Sequence, residues 1–209
     1  MITSDAEART YVASLCDAAA MQRLELLADE LKRENQLQNL VAGPTLDTVW
    51  QRHIADSAQL LEFCGDAQGP WLDLGSGAGF PGLVIAAMRP EIEVVLVESR
   101  KRRVDWLTRA TELMGLAKCR IEGRRLESVE RFDTGVISAR AFAPLERLLT
   151  LSARFSTSTT CWVLPKGRSA SQEVTGLPKN RRSMFHVEQS RTDPEAGIVV
   201  GRGQWSAHR

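Results

Sequence analysis

The sequence lacks the features that mark membrane, secreted and metal-binding proteins. No apolar run in the chain approaches the roughly 18 residues that would span a bilayer, and the first residues lack the basic and then apolar layout of a secretory signal. The histidines have no ligand spacing, and no Cys-x-x-Cys pair occurs. We therefore expect a cytoplasmic protein without a bound metal. We also expect four buried thiols rather than a disulfide framework, at Cys16, Cys64, Cys119 and Cys161.

An excess of charge of either sign is also missing. The formal net charge is only +1, and the chain has 43% hydrophobic and 25% charged residues, which is ordinary for a soluble globular protein. The low net charge excludes a uniformly basic surface, so any contact with nucleic acid needs a local positive patch. The length of 209 residues predicts a single domain.

Glycine is concentrated in one short stretch, Asp73–Gly82. Four glycines fall within its last eight residues, and glycine adopts positive φ without steric cost. The stretch lacks the third glycine of the dinucleotide fingerprint, because Phe80 stands there, and it lacks the Gly-Lys-Ser/Thr ending of a P-loop. What remains, Asp-x-Gly-x-Gly-x-Gly, resembles the first motif of class I S-adenosylmethionine (SAM) methyltransferases. A tight strand-to-helix turn without a ligand is the other interpretation.

A second acid stands where an enzyme of this kind would hold a ribose. Residues 92–97 form a short apolar run typical of a buried strand, and Glu98 follows it directly. An acid about 20 residues beyond a glycine turn, at the end of the second strand, is placed to accept hydrogen bonds from ribose hydroxyls. The alternative is that Glu98 is a solvated residue in a charged turn.

Strands alternate with helices from residue 71 onward, which predicts an α/β fold with a parallel, doubly wound sheet. We expect this sheet to be Rossmann-like, with a helical N-terminal cap at residues 1–66 and the SAM-binding core at 67–209. Expected helices begin near residues 5 and 100 or cover 19–40, 46–64, 81–88, 126–130 and 144–155. Expected strands cover 71–74, 92–97, 119–122, 135–139 and 161–164, with Pro165–Gly167 ending the fifth strand and a final hairpin at 184–189 and 198–200.

Five pieces of the sequence occur in the order typical of one family. They are Asn39-Leu40, Arg52-His53-x-x-Asp56-Ser57, the glycine stretch with its Gly-Phe-Pro-Gly ending, Ile137–Ala143 and Lys166-Gly167. With these pieces the chain resembles the bacterial 16S rRNA guanine-N7 methyltransferases, also called glucose-inhibited division protein B. The resemblance implies a SAM-dependent enzyme that methylates N7 of guanine 527 in 16S rRNA. Its partner would be 16S rRNA or a small-subunit particle, and we expect a monomer.

The resemblance and the glycine stretch together give a set of cofactor residues. The resemblance implies SAM binding through Gly75, Phe80, Leu126, Glu127 and Arg140. The stretch and the second strand add Asp73, Gly77 and Glu98.

Two cations are the predicted catalytic residues. Arg140 and Lys166 follow the fourth and fifth strands, at the edge where open sheets bind ligands. A guanidinium can make bidentate contacts with guanine O6 or a phosphate, and an ammonium can hold the RNA backbone. N7 of guanine has a lone pair and no proton to lose, so no general base is required. A structural salt bridge is the alternative for both residues.

Some alternatives stay open at this point. The basic run Arg100–Arg103 is expected to be a solvated helix face rather than an RNA contact. The same fold could serve a small-molecule or protein methyltransferase. A protein of another class, a non-catalytic RNA-binding or division-linked protein that keeps the fold, is the second rival.

Overall fold

A seven-stranded sheet lies at the centre of the computed structural model, which describes residues 1–64 and 66–206. Short apolar runs form most of its parallel strands. The spatial order is β3-β2-β1-β4-β5-β7-β6. The first five strands run parallel, whereas β7 is antiparallel to β5 and pairs with β6 as a hairpin. The strands are β1 (Trp71–Leu74), β2 (Val94–Val97), β3 (Cys119–Glu122), β4 (Val136–Ala139), β5 (Cys161–Gly167), β6 (Phe185–Gln189) and β7 (Gly197–Arg202).

Helices cover both faces of this sheet, so the expected doubly wound α/β fold is confirmed. The α-helices are α1 (Asp5–Ala13), α2 (Ala18–Glu34), α3 (Asp56–Ala58), α4 (Leu61–Cys64), α5 (Gly82–Met88), α6 (Lys101–Leu113), α7 (Leu145–Ser152), α8 (Ala170–Gly176) and α9 (Lys179–Arg182). Short 3-10 turns occur at Gly43–Leu46, Leu126–Ser128 and Ala153–Phe155, and Trp50–Ala55 is a π-helix. Among the described residues, no helix has the length and apolar character needed to span a bilayer.

Side chains of β1 alternate between two hydrophobic clusters on opposite faces of the sheet. Trp71 joins the cluster that includes α1, α2, α5 and α6, while Leu72 and Leu74 join the one that includes α7 and α8. This two-sided burial is what a parallel sheet covered by helices requires. The carboxyl ends of β1 to β5 are left as the edge at which the loops meet.

The N-terminal helices differ from the expected 19–40 and 46–64. Helix α2 ends at Glu34, because the Asn35 side chain accepts hydrogen bonds from the backbone N–H groups of Leu40 and Val41 (both 2.9 Å) and turns the chain. The second expected helix is divided into a 3-10 turn, a π-helix and two short α-helices. The division at residue 66 between a helical cap and a core stays a prediction.

The expected end of the fifth strand at Pro165–Gly167 is wrong, because β5 continues to Gly167. Strand β4 pairs with β5 only as far as Val163, so the missing N–H of Pro165 breaks no ladder on that side. On the other side β7 follows β5 past the proline, with a register shift between Pro165 and Gly167.

The expectation of four free thiols is also wrong. The structure joins Cys64, the last residue of α4, to Cys161, the first residue of β5, in a disulfide. Their Cα atoms are 6.1 Å apart, within the usual range for a bridge. The bridge arises because α4 packs against β5, which a sequence separation of 97 residues concealed. Cys16 and Cys119 are free.

Candidate active site

The turn between β1 and α5 depends on glycine. Gly75, Gly77 and Gly79 have φ of +64°, +58° and +101°, values that favour glycine. The ring of Phe142 lies so close to Gly75 that a Cβ built there would be 2.6 Å from its Cδ2 atom. The turn therefore brings its backbone, without intervening side chains, to the edge of the sheet.

Asp73 lies beneath this turn and is completely buried. Its Oδ1 accepts a hydrogen bond from the Ser138 hydroxyl (2.8 Å) and its Oδ2 from the N–H of Gly82 (3.3 Å). Burial raises the pKa of this carboxyl, and the bonds from neighbouring hydroxyl and backbone groups oppose the rise. Asp73 thus ties the start of α5 to β4, and both of its oxygens face protein groups.

A cavity of about 490 Å³, which we call the glycine-turn cavity, opens beside the turn. Four of the predicted cofactor residues line it, namely Gly75, Glu98, Leu126 and Glu127. They follow the carboxyl ends of β1, β2 and β3, which is where open α/β sheets bind ligands.

The Glu98 carboxylate organises one wall of the glycine-turn cavity. It accepts hydrogen bonds from the N–H groups of Gly77 (3.2 Å), Ser99 (2.7 Å) and Arg100 (2.8 Å). The side chain is 8% exposed, and a guanidinium nitrogen of Arg103 lies 4.0 Å away. Glu98 therefore connects the glycine turn to the start of α6, with its carboxylate at the cavity surface.

A second cavity, of about 700 Å³, lies next to the first, and we call it the Arg140 cavity. Arg140 contacts three groups from the π-helix region: Asp56 Oδ2 (3.5 Å), the backbone carbonyl of Arg52 (3.3 Å) and His53 Nδ1 (3.2 Å). The Arg140 guanidinium also lies 5.2 Å from the centre of the Phe80 ring. The predicted catalytic arginine is thus held by the N-terminal part of the chain.

His53 contacts both Arg140 and Phe80. Its ring stacks on Phe80 at 5.0 Å and 19°. Because arginine can only donate, Nδ1 of His53 accepts from Arg140, and Nε2 carries the hydrogen that it donates to Thr45 Oγ1 (2.8 Å). Burial, followed by the charges of Arg140 and Arg52, lowers the pKa of His53 to about 3. The ring is therefore neutral, as this arrangement of hydrogen bonds requires.

Phe80 and Lys166 have surroundings that the sequence did not indicate. Phe80 is 3% exposed and packs on His53, next to the Arg140 cavity. Lys166 lines that same cavity, but its ammonium donates to the carbonyl of Ala143 (2.6 Å) and pairs with Glu173 (3.1 Å). Its side chain is only 8% exposed, so in this structure Lys166 stabilises the loop that follows β4.

That loop, residues 141–144, lines both cavities. Ala141 has φ +54°, a conformation that costs a non-glycine residue energy. Phe142 fills the space over Gly75, and Lys166 bonds to Ala143. A group in one cavity is therefore separated from a group in the other by a single strained stretch of chain.

Sequence reasoning gave no role to several residues of this site. Arg52, His53 and Asp56 belong to a motif that was recognised only as a resemblance, although a histidine between charged residues is itself a signal. Glu173 and Asp193 had no signal, because they reach Lys166 and Arg52 from distant parts of the chain. In the stretches 1–64 and 66–206, no three His, Cys, Asp or Glu side chains are grouped to hold a metal ion.

Comparison with solved structures supports the fold. A mutant of MtNAS in complex with S-adenosylmethionine matches with a TM-score of 0.56 at 12% identity, over 95% of this chain and 77% of that one. A ribosomal protein L11 methylase from Lactobacillus delbrueckii subsp. bulgaricus matches with a TM-score of 0.53 at 14% identity, over 72% of this chain and 78% of that one. These similarities show the class I methyltransferase fold.

Comparison with sequences is more specific. The chain is 60% identical to ribosomal RNA small subunit methyltransferase G of Erythrobacter litoralis, over 98% of this chain and 99% of the relative. It is 51% identical to the protein of that name from Novosphingobium aromaticivorans, over 96% and 89%. The model of the GidB family, rRNA small subunit methyltransferase G, matches residues 20–193. The chain therefore belongs to the GidB family.

Proposed function

We propose that this protein transfers a methyl group from SAM to N7 of guanine 527 in 16S rRNA, in the cytoplasm. Membership of a family described as rRNA small subunit methyltransferase G supports an rRNA methyltransferase. The observation that carries the proposal is the pair of adjacent cavities, one beside a glycine turn and one beside Arg140, which share the loop 141–144. A methyltransferase needs a site for the methyl donor directly beside a site for the acceptor base.

The residues of the glycine-turn cavity fit SAM. Gly75 presents bare backbone, Leu126 offers an apolar surface, and Glu98 offers a carboxylate that can accept from ribose hydroxyls. Gly77 does not line the cavity but donates its N–H to Glu98. The volume of the glycine-turn cavity, about 490 Å³, is in the range of ordinary ligand pockets. When bound, SAM supplies a methyl group that its sulfonium has already activated.

The Arg140 cavity is the proposed acceptor site. N7 of guanine carries an available lone pair, so the protein needs to position the base rather than remove a proton. Arg140, held by Asp56 and His53, would orient O6 of the base or an adjoining phosphate with its planar donors. A base reaches such a cavity from a loop or by flipping out of its stack. The loop 141–144 must then move for donor and acceptor to meet.

The proposal is tested on rRNA taken from cells with and without the gene. Mass mapping of 16S rRNA should find a methyl group on guanine 527 only in cells that have the gene, and N7-specific cleavage chemistry should place it on that nitrogen. Purified protein should bind SAM in calorimetry. A modified guanine 527 in the deletion strain, or protein that binds neither SAM nor its demethylated product, would contradict the proposal and favour a non-catalytic role.

A further inference from the structure

The two cavities differ sharply in charge. Three cations line the Arg140 cavity, and three carboxylates balance them. Only two carboxylates, Glu98 and Glu127, line the glycine-turn cavity, together with five arginines, which are Arg100, Arg103, Arg124, Arg125 and Arg147. The proposed donor site is therefore the more positive of the two.

Pairing increases this difference. In the Arg140 cavity every cation has a carboxylate partner, with Arg52 on Asp193, Arg140 on Asp56 and Lys166 on Glu173. At the glycine-turn cavity Arg103 lies near Glu98, and Arg124 pairs with Glu122. The side chains of the other three arginines are exposed and have no hydrogen-bond or ion-pair partner within the described chain; these are Arg100, Arg125 and Arg147. We call these three the rim arginines.

The fold places the rim arginines together although they are distant in sequence. Arg100 follows β2 and precedes α6, Arg125 follows β3 and precedes a 3-10 turn, and Arg147 lies in the first turn of α7 after β4. Parallel strands bring their carboxyl ends to one edge of the sheet. The three side chains thus come from three different strand ends and reach one cavity mouth.

The cofactor does not account for this positive charge. SAM has a sulfonium, an ammonium and one carboxylate, so it carries a net positive charge itself. Cations in excess at its binding site would repel it. Exposed guanidinium groups without partners suit the phosphates of a polyanion, to which they donate bidentate hydrogen bonds.

We propose that the rim arginines bind RNA phosphates across the mouth of the glycine-turn cavity, so that RNA and SAM bind cooperatively. The proposal rests on the function proposed above, since it takes RNA as the substrate and SAM as the cofactor. Phosphates at the mouth offset the positive charge that opposes a cationic cofactor, and this effect weakens as the salt concentration rises. Because linkage is reciprocal, SAM must raise the affinity for RNA by the factor by which RNA raises the affinity for SAM.

This surface also revises the expectation for the run Arg100–Arg103. Lys101 pairs with Asp105, and Arg102 donates to the carbonyl of Leu37, so these two side chains have partners within the protein. Arg100 faces the cavity mouth and has none among the residues described. The run is thus divided between helix packing and the proposed RNA surface.

The test uses the full chain with Arg100, Arg125 and Arg147 all changed to glutamine. Binding to a 16S rRNA transcript is measured by filter retention over a series of KCl concentrations. Loss of three phosphate contacts should reduce the slope of log K against log salt by about 2. SAM should bind the free variant at least as tightly as it binds the free wild type in calorimetry. The tightening of SAM binding by saturating transcript should be smaller in the variant.

A matched control removes the same charge elsewhere. Arg33, Arg89 and Arg131 each pair with a neighbouring surface carboxylate and line neither cavity, so their triple glutamine variant should keep the wild-type slope. An unchanged slope in the rim variant, or equal loss in both variants, would overturn the RNA surface. Weaker SAM binding by the rim variant would assign the arginines to the cofactor. A wild-type SAM affinity that does not change when RNA is added would overturn the cooperativity. The RNA titration contains no cofactor, so it tests the rim even if methylation of guanine 527 is not found.

Discussion

The ring of Phe142 lies directly over Gly75, at the point where the glycine turn meets the loop after β4. This one contact connects the two halves of the proposed site, because Phe142 lines both cavities. Residue 75 is therefore glycine for two reasons. The backbone there has φ +64°, and the Phe142 ring occupies the space that a side chain would need.

Gly75→Ala should destabilise the protein more than Gly115→Ala does. Gly115 has φ +64° too, but nothing lies within 4 Å of a Cβ built there. Its substitution should therefore cost only the left-handed strain, about 1–2 kcal/mol. Urea unfolding of both variants, with and without Phe142→Ala, measures the part that comes from the ring. If the two variants lose equal stability in both backgrounds, Phe142 does not constrain the turn. We expect Gly75→Ala also to weaken SAM binding, because the displaced ring enters the cavity.

Glu98→Ala should weaken SAM binding more than RNA binding. The substitution removes the proposed acceptor of the ribose hydrogen bonds, so we expect the free energy of SAM binding to fall by roughly 1.5–3 kcal/mol. It also leaves three backbone N–H groups without their carboxylate. Calorimetric SAM titration and transcript binding give the two affinities. Glu112→Ala is the control, since Glu112 is an exposed carboxylate that lines neither cavity. Coincident SAM titrations for wild type and Glu98→Ala would reduce Glu98 to a residue that only shapes the turn.

Arg140→Ala should lose methyl transfer at saturating SAM, with a smaller loss of SAM affinity. Arg140→Lys should not restore the rate, because one ammonium cannot contact Asp56 and His53 as the two guanidinium nitrogens do. Misplacement of this kind can cost about a hundredfold in rate. The measurement is single-turnover methylation of RNA from small ribosomal subunits, beside SAM binding. Wild-type turnover by Arg140→Ala would exclude the role, and a loss explained wholly by SAM binding would assign Arg140 to the cofactor.

Lys166→Met should lower stability and leave the salt dependence of RNA binding unchanged. The ammonium is buried between Ala143 and Glu173, and loss of such bonds costs about 1–3 kcal/mol. Urea unfolding of Lys166→Met, Glu173→Gln and the double variant should show coupling between the two residues. If Lys166 instead contacts the RNA backbone, as the sequence predicted, Lys166→Met should reduce the slope of log K against log salt by about 0.7.

His53→Gln should flatten the dependence of stability on pH. The unfolded chain takes up a proton at His53 near pH 6.5, whereas the folded chain does so only near pH 3, because burial and the charges of Arg140 and Arg52 lower the pKa. Wild-type stability that depends on neutral His53 is therefore present above pH 6.5 and is lost as the pH falls toward 3. Between these limits the variant should lack a slope of about 1.4 kcal/mol per pH unit. Urea unfolding from pH 4.5 to 7 measures this, and parallel curves would contradict it.

The parallel strands β1, β2, β4 and β5 were predictable from the sequence because each contains a short, mainly apolar run, whereas β3 alternates apolar and charged residues and gave a weaker signal. The segment 46–64 was not, because its π-helix depends on a distant residue. The Asp5 carboxylate accepts hydrogen bonds from the N–H groups of Trp50 (3.3 Å) and Gln51 (2.9 Å). No local pattern contains that contact.

In the candidate site, too, some residues were predictable from the sequence and others were not. The glycine turn and Glu98 were found because each lies directly after a strand, and the structure brings them to one cavity. The surroundings of Phe80 and Lys166 were not found. The partners that decide them, His53 and Glu173, come from other elements and are fixed only by packing.

The long-range contacts around the Arg140 cavity bear on the order in which the protein is made. The glycine-turn cavity uses residues 75–151, whereas the Arg140 cavity extends from Arg52 to Ile198 and is braced by the Arg52–Asp193 ion pair. The N–H of Ile2 also bonds to the carbonyl of Arg191. Because synthesis runs from the N-terminus, a growing chain possesses every residue of the proposed donor site well before the proposed acceptor site can close. The hairpin of β6 and β7, made after all the strands of the donor site, completes the chamber that we propose for ribosomal RNA.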